Sequence, residues 1–182
     1  MDKISAEYQV TVSDFRRATY FGLFQCHRTP LRIMFVVLAV AILYVLGASI
    51  GLGTINPLVL FIAVGYLIWG ILLFAGAERG IRTYLKRKDS LIGCTYEAEL
   101  DSHRIRLEVP ERDIHVSTQV NQLTCVFELS SMFLIYTSLQ DVYILPHRCM
   151  RQEQRLALRR NFRARLGANF GSRFKDETKT VC

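Results

Sequence analysis

The chain has 182 residues, of which 51% are hydrophobic, and its formal net charge at pH 7 is +7. This length provides for one small domain and a further segment. Residues 33–77 contain no Asp, Glu, Lys, Arg or His, whereas charged residues are frequent on both sides. A globular core would scatter its apolar residues at helix or strand periods, so the composition excludes a single evenly patterned soluble domain.

Residues 1–30 are predicted to form a cytoplasmic strand followed by an interfacial helix. The alternation and β-branching of residues 8–12 predict the strand. Ser13-Asp14 is a plausible cap for a helix over residues 15–26. The aromatic and cationic side chains of this helix suit the membrane interface, or the aromatic ones pack on a C-terminal domain.

Residues 31–77, which contain the charge-free block 33–77, are predicted to form a transmembrane helical hairpin. Residues 33–53 and 57–77 would each span about 32 Å as a helix, against a hydrocarbon core of about 30 Å. The glycines at 51 and 53 can end the first helix, and Pro57 suits the first turn of the second. A connection this short makes the two helices antiparallel.

Basic residues on both flanks predict the orientation. Arg28 and Arg32 precede the first span, and the basic juxtamembrane segment 78–90 follows the second, whereas the connection has no charge. Positive flanks mark the cytoplasmic side, so both termini are expected there, in a bacterial inner membrane. The basic residues of segment 78–90 are candidates for binding anionic lipid. They are Arg79, Arg82, Lys86, Arg87 and Lys88.

Two glycines four residues apart, Gly47 and Gly51, form a GxxxG pattern in the first span. Such a pattern allows close contact between helices. The contact is either with the chain's own second helix, near Gly65 or Gly70, or with a second copy, so a homo-oligomer is possible.

Residues 91–166 are predicted to form a small antiparallel β domain. Alternating apolar residues and turn signals predict six short strands, which imply a sandwich or open barrel. A helix over 150–166, with Leu158, Phe162 and Leu166 as its apolar stripe, would close it. Residues 167–182 are expected to be a flexible tail. The predicted strands are 95–100, 105–109, 114–118, 123–129, 132–137 and 142–145.

The closing helix is rich in arginine. From Arg148 onward there are ten Lys and Arg against three Asp and Glu, a surplus of seven that equals the net charge of the whole chain. Arg155, Arg159 and Arg163 are candidates for binding a protein partner or anionic lipid. A solvated helix face is the alternative, and nucleic acid is not expected because no aromatic residues are interleaved with the charge.

The chain resembles the YcxB-like family of bacterial membrane proteins. The resemblance rests on Tyr96-Glu-Ala-Glu99, Phe133-Leu-Ile-Tyr136 and Tyr143-Ile-Leu-Pro-His-Arg148, and the strand and Ser13-Asp14-Phe15 near the N-terminus also fit. It implies a pleckstrin-homology-like fold for the β domain and supplies little about function. The family often places a Trp before its central strand, where this chain has residues 120–123 without one.

No catalytic, nucleotide-binding or metal-binding pattern is present in the sequence. The four histidines have no partners at ligand spacing, and no Gly-rich phosphate loop or nucleophile motif occurs. We therefore expect a non-enzymatic inner-membrane protein without cofactor or metal, whose β domain binds a protein partner or anionic lipid at the membrane surface. The alternatives are an immunity protein against a membrane-acting toxin and an accessory subunit of a membrane enzyme or transporter.

Overall fold

The structure, a computed structural model, describes residues 4–50, 56–138 and 141–172. The fold is α+β, as predicted, with two long apolar helices and two β-sheets. The helices are α1 Val12–Cys26, α2 Arg28–Ser49, α3 Pro57–Leu85 and α4 Gln152–Leu166. The strands are β1 Ile4–Gln9, β2 Thr95–Leu100, β3 Arg104–Val109, β4 Ile114–Gln119, β5 Cys125–Glu128, β6 Met132–Tyr136, β7 Val142–Pro146 and β8 Phe170–Ser172.

The chain divides into two compact units, and one of them is discontinuous in sequence. Met1–Ala18 and Leu91–Cys182 form the β unit, and Thr19–Ser90 forms the helical unit. Residues 1–30, predicted to be one segment, are thus divided between the two units after Ala18. The helical unit is thus an insertion between β1 and β2, which are neighbouring strands of one sheet.

The first sheet is an antiparallel meander in the order β1-β2-β3-β4. Along its strands, buried apolar residues of the inner face alternate with polar residues of the outer face, as expected for a sheet with one side in water. β1 enters the sheet at Ile4, opposite Leu100, and leaves it at Gln9, opposite Thr95. The two connections to the inserted helices therefore start from adjacent strand ends.

The second sheet has the order β7-β6-β5-β8 and is covered by α4. All four residues of β6 from Met132 to Ile135 are buried, so both faces of this central strand are covered. The Phe133 and Phe162 rings lie 5.9 Å apart and join β6 to the predicted apolar stripe of α4. Strand β8 lies in the segment that was expected to be a flexible tail. Its Phe170 pairs with Val126 at the edge of β5.

The N-terminal strand and helix are both present, but each begins earlier than predicted. Residues 8–12 alternate, yet pairing with β2 selects residues 4–9, whose Ile4, Ala6 and Tyr8 are buried. Thr11, not Ser13-Asp14, caps α1: its hydroxyl accepts from the Asp14 amide at 3.2 Å, and Asp14 accepts from the Thr11 amide at 3.0 Å. This reciprocal pair is a capping box, which local spacing could have revealed.

Helices α2 and α3 are long and apolar enough to cross a membrane, as predicted from their composition. Most of their apolar surface is not covered by protein: Leu43, Phe61 and Leu72 are 65–80% exposed. α3 begins at Pro57, as predicted, and Asn56 caps it by accepting from the Leu58 amide at 3.0 Å. α2 begins at Arg28 and α3 continues to Leu85, so both extend beyond the charge-free block.

The two long helices approach each other closely at Gly70, where a Cβ atom would lie 2.8 Å from Met34 Sδ. Among the described residues, none lies within 4 Å of where a Cβ on Gly47 would be, and the same holds for Gly65. Gly51 lies outside the described residues. Within the described residues the close approach thus joins Gly70 and Met34, and the contact of the GxxxG pattern stays a prediction.

Candidate interaction surfaces

The basic residues that follow the apolar block form an exposed cluster at the end of α3. Arg79, Arg82 and Lys86 recur at spacings of three and four residues, which places them on one side of the helix end. The five residues of this juxtamembrane cluster, all exposed, are Arg79, Arg82, Lys86, Arg87 and Lys88. They can present several cationic groups together to an anionic surface.

Near this end of α3, aromatic side chains of α1 and α3 pack against each other. The Phe74 ring lies 6.0 Å from the Phe24 ring and 6.1 Å from the Tyr20 ring. The Tyr20 hydroxyl donates to Glu78 Oε1 at 2.6 Å. α1 and α3 are thus joined where the charge-free block of α3 ends.

The predicted arginine face of α4 is partly used inside the β unit. Arg159 Nε and Nη2 donate to the two carboxylate oxygens of Glu128, both at 2.6 Å. The Glu128 side chain is 0% exposed and that of Arg159 is 12% exposed. Such a two-pronged pair fixes the geometry of both side chains. Arg159 is therefore held by a buried carboxylate of β5 that the sequence does not reveal, and its binding of a partner or lipid stays a prediction.

The two other predicted arginines are also turned toward the domain. Arg155 is half-buried with its Nε shielded from solvent, and the Arg163 guanidinium lies 5.9 Å from the centre of the Phe170 ring. A spacing of four residues places all three on one side of the helix, next to the buried Leu158, Phe162 and Leu166. The exposed arginines of α4 and its cap are Arg151, Arg160 and Arg165.

A second charged pair joins the start of α1 to the end of β7. Arg148 Nη2 donates to Asp14 Oδ2 at 2.7 Å and to the Gln9 carbonyl at 2.6 Å. Burial alone would raise the pKa of Asp14, but the hydrogen bonds from Arg148 and Thr11 outweigh it and hold that pKa below its ordinary value. The Arg148 of the family-like motif therefore anchors the β1–α1 corner.

The outer face of the first sheet is acidic, which the sequence analysis did not identify. Glu7 lies opposite Glu97, and Glu97 lies opposite Glu108, so three carboxylates form a row across three strands. Like charges placed directly opposite each other destabilise a sheet. At one end of the row, His115 Nδ1 lies 3.6 Å from Glu108 Oε2. The signal for this row was the alternation of glutamates in β2.

His147, which follows β7, packs against the aromatic core of the β unit. Its ring nitrogens are buried, and its ring lies 4.8 Å from that of Phe133. Burial, and next the charge of Arg155, lower the pKa of His147, while Glu128 acts in the opposite direction. The neutral imidazole is therefore the form that the fold favours.

Within the described ranges, no group of three or more His, Cys, Asp or Glu side chains is placed to hold a metal ion. The arrangement offers charged and apolar surfaces and two internal ion pairs. Comparison of the chain with models of protein families, with curated proteins and with solved structures found no match.

Proposed function

We propose that this chain is a two-pass membrane protein whose β unit is held at the bilayer surface, where the juxtamembrane cluster binds anionic lipid headgroups. The proposal includes no catalytic activity. The observation that carries it is the exposed apolar surface of α2 and α3: only 17% and 6% of their most apolar windows are buried in protein. Water would penalise that much exposed hydrocarbon, whereas a bilayer would stabilise it.

The position of the insertion supports an even number of crossings. β1 and β2 are hydrogen-bonded neighbours, and the Gly93 amide donates to the Val10 carbonyl at 3.2 Å beside them. A folded sheet stays on one side of a bilayer, so a membrane insertion between its strands must return to the side from which it left. Two antiparallel spans meet this condition, and the basic flanks favour the cytoplasmic side of a bacterial inner membrane.

The lipid-binding part of the proposal rests on exposure. All five basic residues of the juxtamembrane cluster are exposed and follow directly after the apolar block. A Lys or Arg near an anionic bilayer surface contributes about 1 kcal/mol, within a Debye length of about 8 Å in physiological salt. Three such residues on one side of α3 would contribute about 3 kcal/mol together.

The first experiment tests insertion and topology. We expect the expressed chain to stay in bacterial membranes after alkaline carbonate washing, and a reporter fused after residue 182 to be active only in the cytoplasm. Replacing Leu43 and Phe61 by Lys should release the chain from the membrane, because each places a charge in the apolar block. Recovery of the unaltered chain in the detergent-free supernatant would contradict the proposal.

The second experiment tests lipid binding in nanodiscs that contain the full chain and a mixture of neutral and anionic phospholipids. Native mass spectrometry would count the anionic lipids that remain bound. We expect Arg79→Gln/Arg82→Gln/Lys86→Gln to weaken retention by roughly ten- to a hundredfold, since about 3 kcal/mol is lost at most. Arg151→Gln/Arg160→Gln/Arg165→Gln, which removes the same charge, is the matched control. Equal loss in both variants would reject the juxtamembrane cluster as the lipid site.

The proposed relation to the YcxB-like family extends to the β unit. Two sheets closed by a C-terminal helix support a pleckstrin-homology-like fold as a proposal, with the transmembrane hairpin inserted after its first strand. A fold of this kind does not name a ligand. The lipid assignment therefore depends on the cluster residues and not on the fold.

A further inference from the structure

A groove, called here the Glu78 groove, runs along the line where α2 and α3 meet. Its volume is about 480 Å³, within the range of about 300–1,000 Å³ that is usual for ligand pockets. Met34 and Leu38 of α2 line it together with a stretch of α3 from Leu67 to Glu78, and of its described lining residues only Glu78 is charged. This carboxylate is also the first charged residue after the apolar block 33–77. The groove therefore leads along apolar surface to a charged group.

The length of the Glu78 groove matches one leaflet of a bilayer. Leu67 and Glu78 are 11 positions apart on α3, which is about 16 Å along the helix axis at about 1.5 Å per residue. Half of a hydrocarbon core of about 30 Å is about 15 Å. Leu67 is the middle residue of the predicted span 57–77. In a chain that crosses the bilayer as proposed above, the groove thus extends from the bilayer centre to the cytoplasmic surface, which is the length of one acyl chain.

The charged end of the groove places a carboxylate next to a guanidinium. The Tyr20 hydroxyl donates to Glu78 Oε1 at 2.6 Å, and the Tyr20 ring packs 6.1 Å from that of Phe74, which also lines the groove. A carboxylate offers about four acceptor positions, so it can accept from Tyr20 and from a further donor at the same time. Arg82 is exposed and follows Glu78 by four residues, which puts both on one side of α3. An acyl chain, a carboxylate and a guanidinium would therefore follow one another along this side.

We propose that the Glu78 groove holds one acyl chain of a zwitterionic phospholipid with a primary ammonium headgroup, phosphatidylethanolamine, whose ammonium binds Glu78 and whose phosphate binds Arg82. The ammonium has three N–H donors for the carboxylate, and a guanidinium forms paired hydrogen bonds with a phosphate. The ethanolamine linker keeps the two headgroup charges close together, as are side chains four positions apart on a helix, whose Cβ atoms are about 5–6 Å apart. An anionic headgroup without an amine would bring its charge toward Glu78 and be repelled. This proposal rests on the membrane crossing proposed above and adds a lipid class to it.

A second groove of the helical unit, called here the Trp69 groove, provides an internal comparison. Its volume is about 510 Å³, and none of its described lining residues is charged. An acyl chain can lie in either groove, but only the Glu78 groove offers a carboxylate to the headgroup. A preference for an ammonium headgroup is therefore expected at the Glu78 groove alone. The Trp69 groove is lined by Pro30, Phe61, Ile62, Gly65, Tyr66 and Trp69.

The test uses the full chain in nanodiscs that contain equal amounts of phosphatidylethanolamine and phosphatidylcholine with the same acyl chains, together with anionic phosphatidylglycerol. Native mass spectrometry would count each lipid class that remains bound. We expect the unaltered chain to retain phosphatidylethanolamine over phosphatidylcholine by about fivefold, as one charge pair at a bilayer surface allows. Glu78→Gln removes the charge, keeps an oxygen that accepts from Tyr20, and should abolish this preference.

Two results would overturn the proposal. One is equal retention of phosphatidylethanolamine and phosphatidylcholine by the unaltered chain, and the other is an unchanged preference in Glu78→Gln, which would leave Glu78 only the role of joining α1 to α3. Phosphatidylglycerol reports on the juxtamembrane cluster separately. Weak retention of phosphatidylglycerol by the unaltered chain would contradict the proposed function and not the lipid assigned to the Glu78 groove.

A second pair of variants tests the acyl chain in the groove. Ala75→Leu adds a side chain to the wall of the Glu78 groove and should remove most of the preference for phosphatidylethanolamine. Gly65→Leu adds the same side chain to the Trp69 groove, where a Cβ atom would meet no described atom within 4 Å outside its own stretch of helix, and should leave the preference unchanged. Equal effects of the two variants would overturn the proposal. If Ala75→Leu fails to fold, Glu78→Gln decides alone.

Discussion

The two units of this protein differ in which side chains they bury and which they expose. The β unit buries its apolar side chains and encloses two carboxylates, Glu128 and Asp14, each paired with an arginine. The helical unit exposes its apolar side chains, and the basic residues of the juxtamembrane cluster are exposed as well. Arg148 and Arg159 of the β unit therefore stabilise the fold, whereas the arginines of the juxtamembrane cluster are exposed.

The largest loss of stability is expected when the buried ion pair between Arg159 and Glu128 in the β unit is broken. Arg159→Ala leaves Glu128 buried without its counter-charge and should lower the free energy of unfolding by about 3–5 kcal/mol. Denaturant titration in mild detergent, followed by fluorescence, would measure it. Arg82→Ala, in the exposed cluster, is the comparison and should change stability by less than about 0.5 kcal/mol. Similar losses in both variants would erase the distinction between the two units.

The next effect concerns the corner between β1 and α1. Arg148→Ala removes two charge-assisted hydrogen bonds, to Asp14 and to the Gln9 carbonyl, and should cost about 1.5–3 kcal/mol. Because the folded pKa of Asp14 lies below its ordinary value of 3.8, its contribution is present above that pH and is lost as pH falls through the folded pKa. Acid titration of unfolding should be shallower below pH 4 in the variant. An unchanged acid profile would show that Asp14 contributes nothing there.

A smaller loss of stability is expected from substitutions that test where α2 and α3 pack against each other. Gly70→Leu should cost about 1 kcal/mol, because its side chain meets Met34, whose flexible end can partly move away. A Cβ atom at Gly47 would meet no described atom within 4 Å outside its own stretch of helix, so Gly47→Leu should be nearly neutral in the monomer. Unfolding in detergent micelles, measured at low protein concentration, would compare them. A greater loss for Gly47→Leu that grows with protein concentration would point to contact between copies at the GxxxG pattern.

The smallest effect is a pH dependence of the β unit. The folded pKa of His147 lies below its ordinary value of 6.5, so the unfolded chain binds the proton more readily. Stability should therefore fall as pH decreases through 6.5, toward the folded pKa. The charged groups that bear on the ring are Arg155, Arg159 and Glu128. His147→Gln should flatten the profile between pH 7.5 and 5.5, and an unchanged slope would assign it to another group.

The sequence allowed much of the secondary structure to be predicted. Alternation in β2, β3 and β4 located those strands to within a residue or so, because each has one face turned to the core and one toward solvent. The apolar stripe of α4 was also recognisable, since Leu158, Phe162 and Leu166 recur at helical spacing. Such patterns can be recognised in the sequence because buried residues recur with the period of a single strand or helix.

The candidate site was harder to predict because availability depends on distant partners. Arg159 and Arg160 are neighbours in the sequence, but one is held by Glu128, 31 positions away, and the other is exposed. β8 was assigned to a flexible tail because the residues after Gly167 are rich in Gly, Asn, Ser, Asp and Lys, a composition that favours disorder. Its pairing depends on the free edge of β5 and on the space that Gly171 leaves beside Phe127.

The sequence by itself determined the uncharged apolar block, the two long helices and the basic residues that follow them, because hydropathy and charge are properties of contiguous residues. Only the tertiary structure decided that the helical unit is inserted between two paired strands, and which arginines are enclosed. Strand pairing and buried ion pairs join residues far apart in the chain, and their geometry exists only once the core has formed.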